Sequence, residues 1–273
     1  MENIIEKINS ASRFIKSQID FEPEYCIVLG SGLGDLVSKA EIKKEIAYKD
    51  IPHFPLATVA GHPGKLILGI ISGKKVAIMQ GRFHYYEGYS MQEVVFPIRV
   101  LKFCGAKTAI ITNASGGLNP AIKVGELMII NDHINLQPDN PLLGKNFDEL
   151  GPRFPDQHNV YDKKLIECAR SIAKRNNIVC HEGVYVGVPG PTFETPAEYR
   201  YMRIIGGDAV GMSTVPEVIA ANHLGMKIFG ISVICDEGNP PTPQRISHDE
   251  VIRAAKEGEP RMSMIIQQLL AEQ

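Results

Sequence analysis

The chain has 273 residues, 44% hydrophobic and 22% charged, an ordinary globular balance in a length that buries enough surface to need no staples. Its 29 basic and 31 acidic residues leave a net charge of −2, which gives no long-range attraction to nucleic acid or to an anionic membrane; any phosphate it binds must be held by a local site. The five cysteines, Cys26, Cys104, Cys168, Cys180 and Cys235, are odd in number and without ligand spacing, which argues against a disulfide framework and a zinc site.

In chain order, Ile4, Ile8, Ala11 and Ile15 share one face that Ile5 and Phe14 broaden, the pattern of an amphipathic helix. Charges run through residues 1–20 with no secretory pattern, and no apolar stretch approaches a membrane span, so the cytoplasm is the expected compartment. Tyr25–Leu29 is an apolar run that breaks into Gly30-Ser31-Gly32-Leu33-Gly34, a strand followed by a glycine turn. Further strands are predicted at 66–71, 75–80, 107–112, 127–131, 183–188 and 227–234, and helices at 91–103, 162–175, 196–205 and 248–270. Residues 137–144 and 238–244, rich in Pro and Gly, read as surface loops. Strands alternating with helices predict an α/β fold, one domain over residues 1–273, with a mixed central sheet flanked by helices.

Five polar or glycine-rich clusters follow predicted strands, at 30–34, 81–86, 113–117, 190–195 and 235–238. Ligands of open α/β sheets collect at the carboxyl ends of strands, so this distribution points to an enzyme site assembled from many loops. The 30–34 cluster either wraps an anion with backbone N–H groups and Ser31, or is a plain tight turn. It is not a dinucleotide fingerprint, because Asp35 stands where the third glycine belongs, and Gly-Lys is never followed by Ser or Thr as a Walker loop requires. Gly81–Tyr86, if extended, turns Arg82, His84 and Tyr86 to one side, with Arg82 offering a planar fork for phosphate; the competing reading is a surface loop with a solvated Arg. His62 is a phosphate neighbour or a turn histidine. Phe193 and Glu194 suit a flat base and its edge N–H groups, or simply precede a helix that Thr192 or Thr195 caps. Residues 211–217 begin like a nucleophile elbow, but Val215 replaces the closing glycine, which leaves a hydroxyl-rich turn for phosphate or sugar. Ser247 and Glu250 match a capping box, which does not explain His248.

Taken together, the stretches GSGLG (30–34), GHPG (61–64), QGRFHYYEGY (80–89), TNASGGLN (112–119), DHIN (132–135), RFP (153–155), GPTFET (190–195) and GMSTVPE (211–217) resemble the trimeric, low-molecular-mass purine nucleoside phosphorylases. They run in order and cover nearly the whole chain. The resemblance implies a phosphate site of Ser31, Arg82, His84, Ser213 and the backbone around Ala114, with His62 nearby. It implies that Tyr86 and the Met212 backbone hold the ribose hydroxyls and that His248 meets the 5′-hydroxyl, which disfavours methylthioadenosine phosphorylases. Phe193, Glu194 and position 236 would hold the base, with Tyr185, Val188 and Val210 lining its pocket. Phe154 would enter a neighbouring subunit's site in a homotrimer.

The implied activity is reversible phosphorolysis of purine ribo- or deoxyribonucleosides in purine salvage, with inorganic phosphate as co-substrate and no metal or organic cofactor. Catalysis would rest on His84, Glu194 and position 236. The chain departs from the family at Asp236, where these enzymes generally carry Asn, and at Cys235, where Thr or Ser is more usual. An ionised Asp accepts from a 6-amino group and repels O6, whereas a protonated one donates. Inosine and guanosine are therefore expected as substrates, with Asp236 broadening the range toward adenosine. Two further readings remain open: a nucleosidase using water, and a purine nucleoside-binding protein without turnover.

Overall fold

A computed structural model describes residues 3–56, 58, 63–238 and 247–273. The first helix, α1 (Ile4–Lys16), starts at Asn3, whose side chain and that of Glu6 cap each other's backbone. Its face of Ile8, Ala11 and Ile15 is fully buried and rests on α3 (Phe96–Cys104); each buried isoleucine is worth roughly 1.5–3 kcal/mol. The pattern over 91–103 breaks into α2 (Met91–Val94) and α3, because Pro97 in the first turn of α3 offers no N–H to continue the ladder and Val95 becomes the joint.

Among the described residues nine strands form one sheet. Strand β1 (Tyr25–Leu29) lies parallel between β4 (Lys74–Gln80) and β5 (Thr108–Gly117). It is buried along its whole length, which is why it reads as an unbroken apolar run. An antiparallel hairpin joins β3 (Lys65–Ile71) to β4 through Ser72 and Gly73, both at positive φ (49° and 79°), the twist a two-residue turn needs. Outside it lies β2 (Glu41–Ala47), which the sequence reading missed. Five of its seven residues are exposed and it carries a register shift between Ile42 and Lys44, so its composition is that of a charged, bulged edge rather than an alternating strand.

The other half of the sheet curls back on itself. Strands β6 (Leu127–Asn135), β7 (Cys180–Gly187), β8 (Ala209–Gly211) and β9 (Lys227–Glu237) continue from β5, and β9 pairs again with β5. Five strands thus close a ring in the order β5-β8-β7-β6-β9. The expected mixed sheet is present, and closure is the added feature. Strands β5 and β9 run past their predicted ends, so residues 113–117 and 235–237 lie within strands rather than after them. A shift between Ser115 and Gly116 sets Gly116 opposite Asp236.

Helices α4 (Lys163–Arg175), α5 (Pro196–Ile204), α6 (Val215–His223) and α7 (His248–Ala271) follow in chain order. The reading of 211–217 as a turn missed α6. Seven of its nine residues between Val215 and Ala221 are buried without interruption, so it shows no amphipathic period. Helix α7 packs on β9 and α4. No described helix is long and apolar enough to cross a membrane. The loop predicted at 238–244 lies almost wholly outside the described residues.

Candidate active site

The glycine turn after β1 is fastened from below and behind. Thr112 Oγ1 accepts the Gly30 N–H at 3.1 Å and donates to the Val28 carbonyl at 3.0 Å. Gly32 has φ +74°, and a Cβ there would lie 3.0 Å from Ala255 Cβ on α7, so the turn is pressed against that helix. Glu259, buried on α7, accepts the Asp35 N–H. Burial pushes the Glu259 carboxyl up to about 7.

A cavity of about 360 Å³ opens above this turn. Ser31 lines it beside Arg82 and His84, from the loop after β4, and Ala114, from β5. Arg82 is 1% exposed. Its Nε and Nη2 meet Glu217 Oε1 and Oε2 at 3.2 and 2.9 Å, and Nη1 donates to the Thr112 carbonyl at 2.7 Å and to Ser213 Oγ at 3.2 Å. The fork expected to face phosphate is thus engaged by Glu217, because a buried guanidinium needs a counter-charge. Arg82 lines the cavity beside the Ser213 hydroxyl it holds.

His84 Nδ1 lies 2.9 Å from Glu87 Oε1, which also accepts the His84 backbone N–H at 2.8 Å. Bonds from His84 and Thr58 hold the Glu87 carboxyl down at about 2 against the effect of burial, so it is ionised and Nδ1 carries a proton. Burial lowers the His84 pKa, with the Glu87 bond opposing it. Its ring stacks on Tyr86 at 4.6 Å.

Ser213 and Met212 enter on the turn from β8 into α6. Thr214 caps that helix at φ 69°, costly for a β-branched residue. Three bonds hold it: its N–H to Glu217 Oε2 at 3.1 Å, its hydroxyl from Asn113 Nδ2 at 3.0 Å, and Ser213 Oγ at 3.1 Å. The Thr-x-x-Glu spacing at 214–217 was the signal that could have found both α6 and Glu217.

The second polar set holds two carboxyls. Asp236 lines the cavity from β9, with Val210 of β8 beside it; a Cβ on Gly116 would lie 3.0 Å from Asp236 Oδ1 and 3.3 Å from Val210 Cγ1. Phe193, half exposed, and Glu194 line it just before α5, whose cap is the Thr195–Glu198 box. The Tyr199 hydroxyl lies 3.4 Å from Asp236 Oδ1. Burial, with the charge of Glu194 adding to it, pushes the Asp236 carboxyl up to about 6, and burial raises Glu194 as well. His248 lines the cavity from the start of α7, where Ser247 and Glu250 form the expected box.

Two residues expected in the base pocket stand a layer behind it. Tyr185 is fully buried in β7, and its hydroxyl accepts the Ser213 N–H at 3.4 Å. A Cβ on Gly211 would come 2.3 Å from that hydroxyl, so Tyr185 props the wall without lining it. Val188 packs against the cluster of Leu118, Val186, Tyr199, Met202 and Val210, outside the cavity. Phe154 is 87% exposed and lines a separate cavity of about 450 Å³ with Arg153 and Leu143. His62 lies outside the described residues. Asn113 and Ser115 line the cavity and were not singled out; Asn113 Oδ1 and Ser115 Oγ are buried without a hydrogen-bond partner among the described residues. Among those residues no group of three or more His, Cys, Asp or Glu is placed to hold a metal ion.

A glycine turn with hydroxyl and imidazole groups, and an aromatic ring beside two carboxyls, give an α/β enzyme whose cavity matches a small ligand combining an anion with a flat, hydrogen-bonding ring. A family model described as the phosphorylase superfamily matches residues 24–271. Purine nucleoside phosphorylase 1 of Bacillus subtilis (strain 168) is 48% identical over 267 residues, 98% of either chain. Isoform 2 of purine nucleoside phosphorylase from Schistosoma mansoni, solved in complex with cytosine and ribose-1-phosphate, has a TM-score of 0.93 and 42% identity, covering 97% of this chain and 96% of that one. A Schistosoma mansoni purine nucleoside phosphorylase in complex with adenosine gives 0.93 and 39%, covering 98% and 97%. The chain belongs to the phosphorylase superfamily and, within it, to the purine nucleoside phosphorylases.

Proposed function

We propose that the chain cleaves purine ribo- and deoxyribonucleosides reversibly with inorganic phosphate, releasing base and pentose 1-phosphate, and that it does so without a metal or organic cofactor. The observation that carries this reading is the meeting of Ser31, His84, Ser213 and Arg82 with Phe193, Glu194 and Asp236 around one cavity. Phosphate would accept from Ser31, Ser213 and the backbone near Ala114. His84 would contribute its second ring nitrogen, since Nδ1 is taken by Glu87. Phosphate bound beside C1′ supplies the nucleophile and also the negative charge that stabilises an oxocarbenium-like transition state. Tyr86, the Met212 backbone and His248 would hold the sugar.

The purine would lie against Phe193, with Glu194 on its edge and Asp236, as a carboxylic acid, donating to N7 as the bond breaks. Asp236 in place of Asn would broaden selectivity toward adenosine, because its ionised form accepts from a 6-amino group. The assembly would be a homotrimer, as the sequence resemblance implies, with Phe154 reaching the neighbour's site; the exposure of Phe154 and Leu143 around one cavity supports this reading. Five free cysteines, three of them buried, suit the cytoplasm.

Base release from inosine, guanosine and adenosine, each with and without phosphate in metal-free buffer, tests the proposal. Phosphate-dependent release is the expected result. Equal release without phosphate makes the chain a nucleosidase, and tight binding without release makes it a sensor.

A further inference from the structure

Donors fill both oxygens of the Glu87 carboxylate. Oε1 accepts the His84 backbone N–H at 2.8 Å and faces His84 Nδ1 at 2.9 Å. Oε2 accepts the Thr58 N–H at 3.2 Å and the Thr58 hydroxyl. The Glu87 side chain is only 2% exposed. Backbone N–H groups are obligatory donors, so a carboxyl that serves one on each oxygen works as a carboxylate. A bare ring nitrogen against it would set two lone pairs face to face. The proton of the His84 ring therefore sits on Nδ1.

Fixing that proton also fixes the character of Nε2, because the second nitrogen of a neutral imidazole is an acceptor. Burial resists a second proton on the ring, Glu87 opposes this, Arg82 on the same loop adds to it, and Glu217 from α6 opposes it; the balance leaves the pKa lowered. The ring, stacked on Tyr86, lines the cavity. Its neighbours on the phosphate side, Ser31, Ser213 and the backbone near Ala114, donate or can turn to donate. We infer that His84 Nε2 accepts the P–OH hydrogen of hydrogen phosphate, so that the site takes phosphate and arsenate and discriminates against sulfate, with Glu87 as the positioning residue that fixes the tautomer.

The inference rests on the reading of the cavity as a phosphate-dependent nucleoside site. Sulfate matches hydrogen phosphate in shape and charge but carries no hydrogen at neutral pH. Charge attraction and N–H donors cannot separate the two anions. A hydroxyl turns to suit either, whereas a ring nitrogen whose proton is pinned on its far side does not. Against sulfate, Nε2 would meet an oxygen lone pair, and a site built around a substrate hydrogen rejects the analogue that lacks it. The P–OH bond is kept and His84 stays neutral throughout, so no proton changes hands.

Initial rates of inosine cleavage at neutral pH test this. Sulfate should compete with phosphate with a Ki at least about thirtyfold above the phosphate KM, whereas arsenate should replace phosphate with a KM within about threefold. A sulfate Ki close to the phosphate KM overturns the inference. In Glu87→Gln the amide can accept or donate at Nδ1, which lets Nε2 donate, so the sulfate-to-phosphate ratio should fall by about tenfold. A merely structural loss weakens both anions alike, and an unmoved ratio overturns the role of Glu87. Base release that ignores phosphate altogether removes the reading of the site, and the inference with it.

A spectroscopic measurement reads the proton itself. In protein labelled with nitrogen-15 histidine and saturated with phosphate at neutral pH, the His84 signals are those that His84→Gln removes. They should show a proton on Nδ1 and none on Nε2. A proton on Nε2, alone or in an imidazolium, overturns the inference.

Discussion

Glu217 and Arg82 lie 135 residues apart in the chain and meet fork to fork in the interior, each at most 3% exposed. The same carboxylate accepts the Thr214 N–H, and the same guanidinium holds Ser213, so the strained turn into α6 and the arginine of the cavity share one anchor. Removing one partner leaves the other as an uncompensated buried charge. Glu217→Ala is expected to cost roughly 3–5 kcal/mol by urea denaturation. Glu217→Gln, which can still accept one bond, should lose less stability and still raise the KM for phosphate. A Glu217→Ala protein as stable as the parent would show that the pair is not what holds the turn.

Asp236 is expected to act on both selectivity and stability. Asp236→Asn should raise the inosine-to-adenosine preference in kcat/KM, because an amide donates to O6 where a carboxylate repels it; an unmoved ratio counts against Asp236 as a selectivity residue.

The stability effect of Asp236 has a definite sign. Its carboxyl is raised from 3.8 to about 6 by burial, then by Glu194, so the folded state holds the proton more tightly than the unfolded chain does. Below the unfolded value both states are protonated and the group costs nothing. As pH rises through about 6 the cost reaches its full size, on the order of 2–3 kcal/mol. Asp236→Asn should therefore raise the melting temperature at alkaline pH and leave it nearly unchanged at pH values near 4. Equal shifts at both ends would assign the effect to packing instead.

Glu259 ties α7 to the turn that carries Ser31. Glu259→Ala frees the Asp35 N–H and loosens that turn, so the KM for phosphate should rise by about three- to tenfold with kcat little changed, given the ~1–3 kcal/mol cost of an unpaired buried group. Initial rates against phosphate concentration decide it. A fall in kcat alone would mean that α7 acts through His248 and not through the turn.

Phe154 tests the assembly. If it completes a neighbour's site, Phe154→Ala should raise the nucleoside KM by about tenfold, as loss of a buried aromatic contact does, and the parent should sediment as a trimer. A monomeric parent whose KM is insensitive to Phe154→Ala would disprove the shared site.

How much of this was legible beforehand varies by element. Tyr25–Leu29 announces itself because a strand buried on both faces must be apolar throughout. The α1 face and the Ser247 box are equally local. By contrast, β2 carries the composition of a solvated edge, and α6 is buried all round, so neither shows a period. Tyr185 and Val188 share a strand end with the site, but which layer they occupy depends on the neighbouring strand, and β8 is only three residues long.

The sequence by itself determined the α/β class, most strands and helices, and the set of loops that carries Ser31, His84, Phe193, Glu194 and Ser213, because periodicity, glycine turns and motif order are local properties. Tertiary structure alone decided that the sheet closes into a ring, that Glu217 claims the fork of Arg82, and that Tyr199 reaches Asp236. Those outcomes join residues 37 to 135 positions apart. Register, burial and charge compensation between distant segments leave no mark on any one of them.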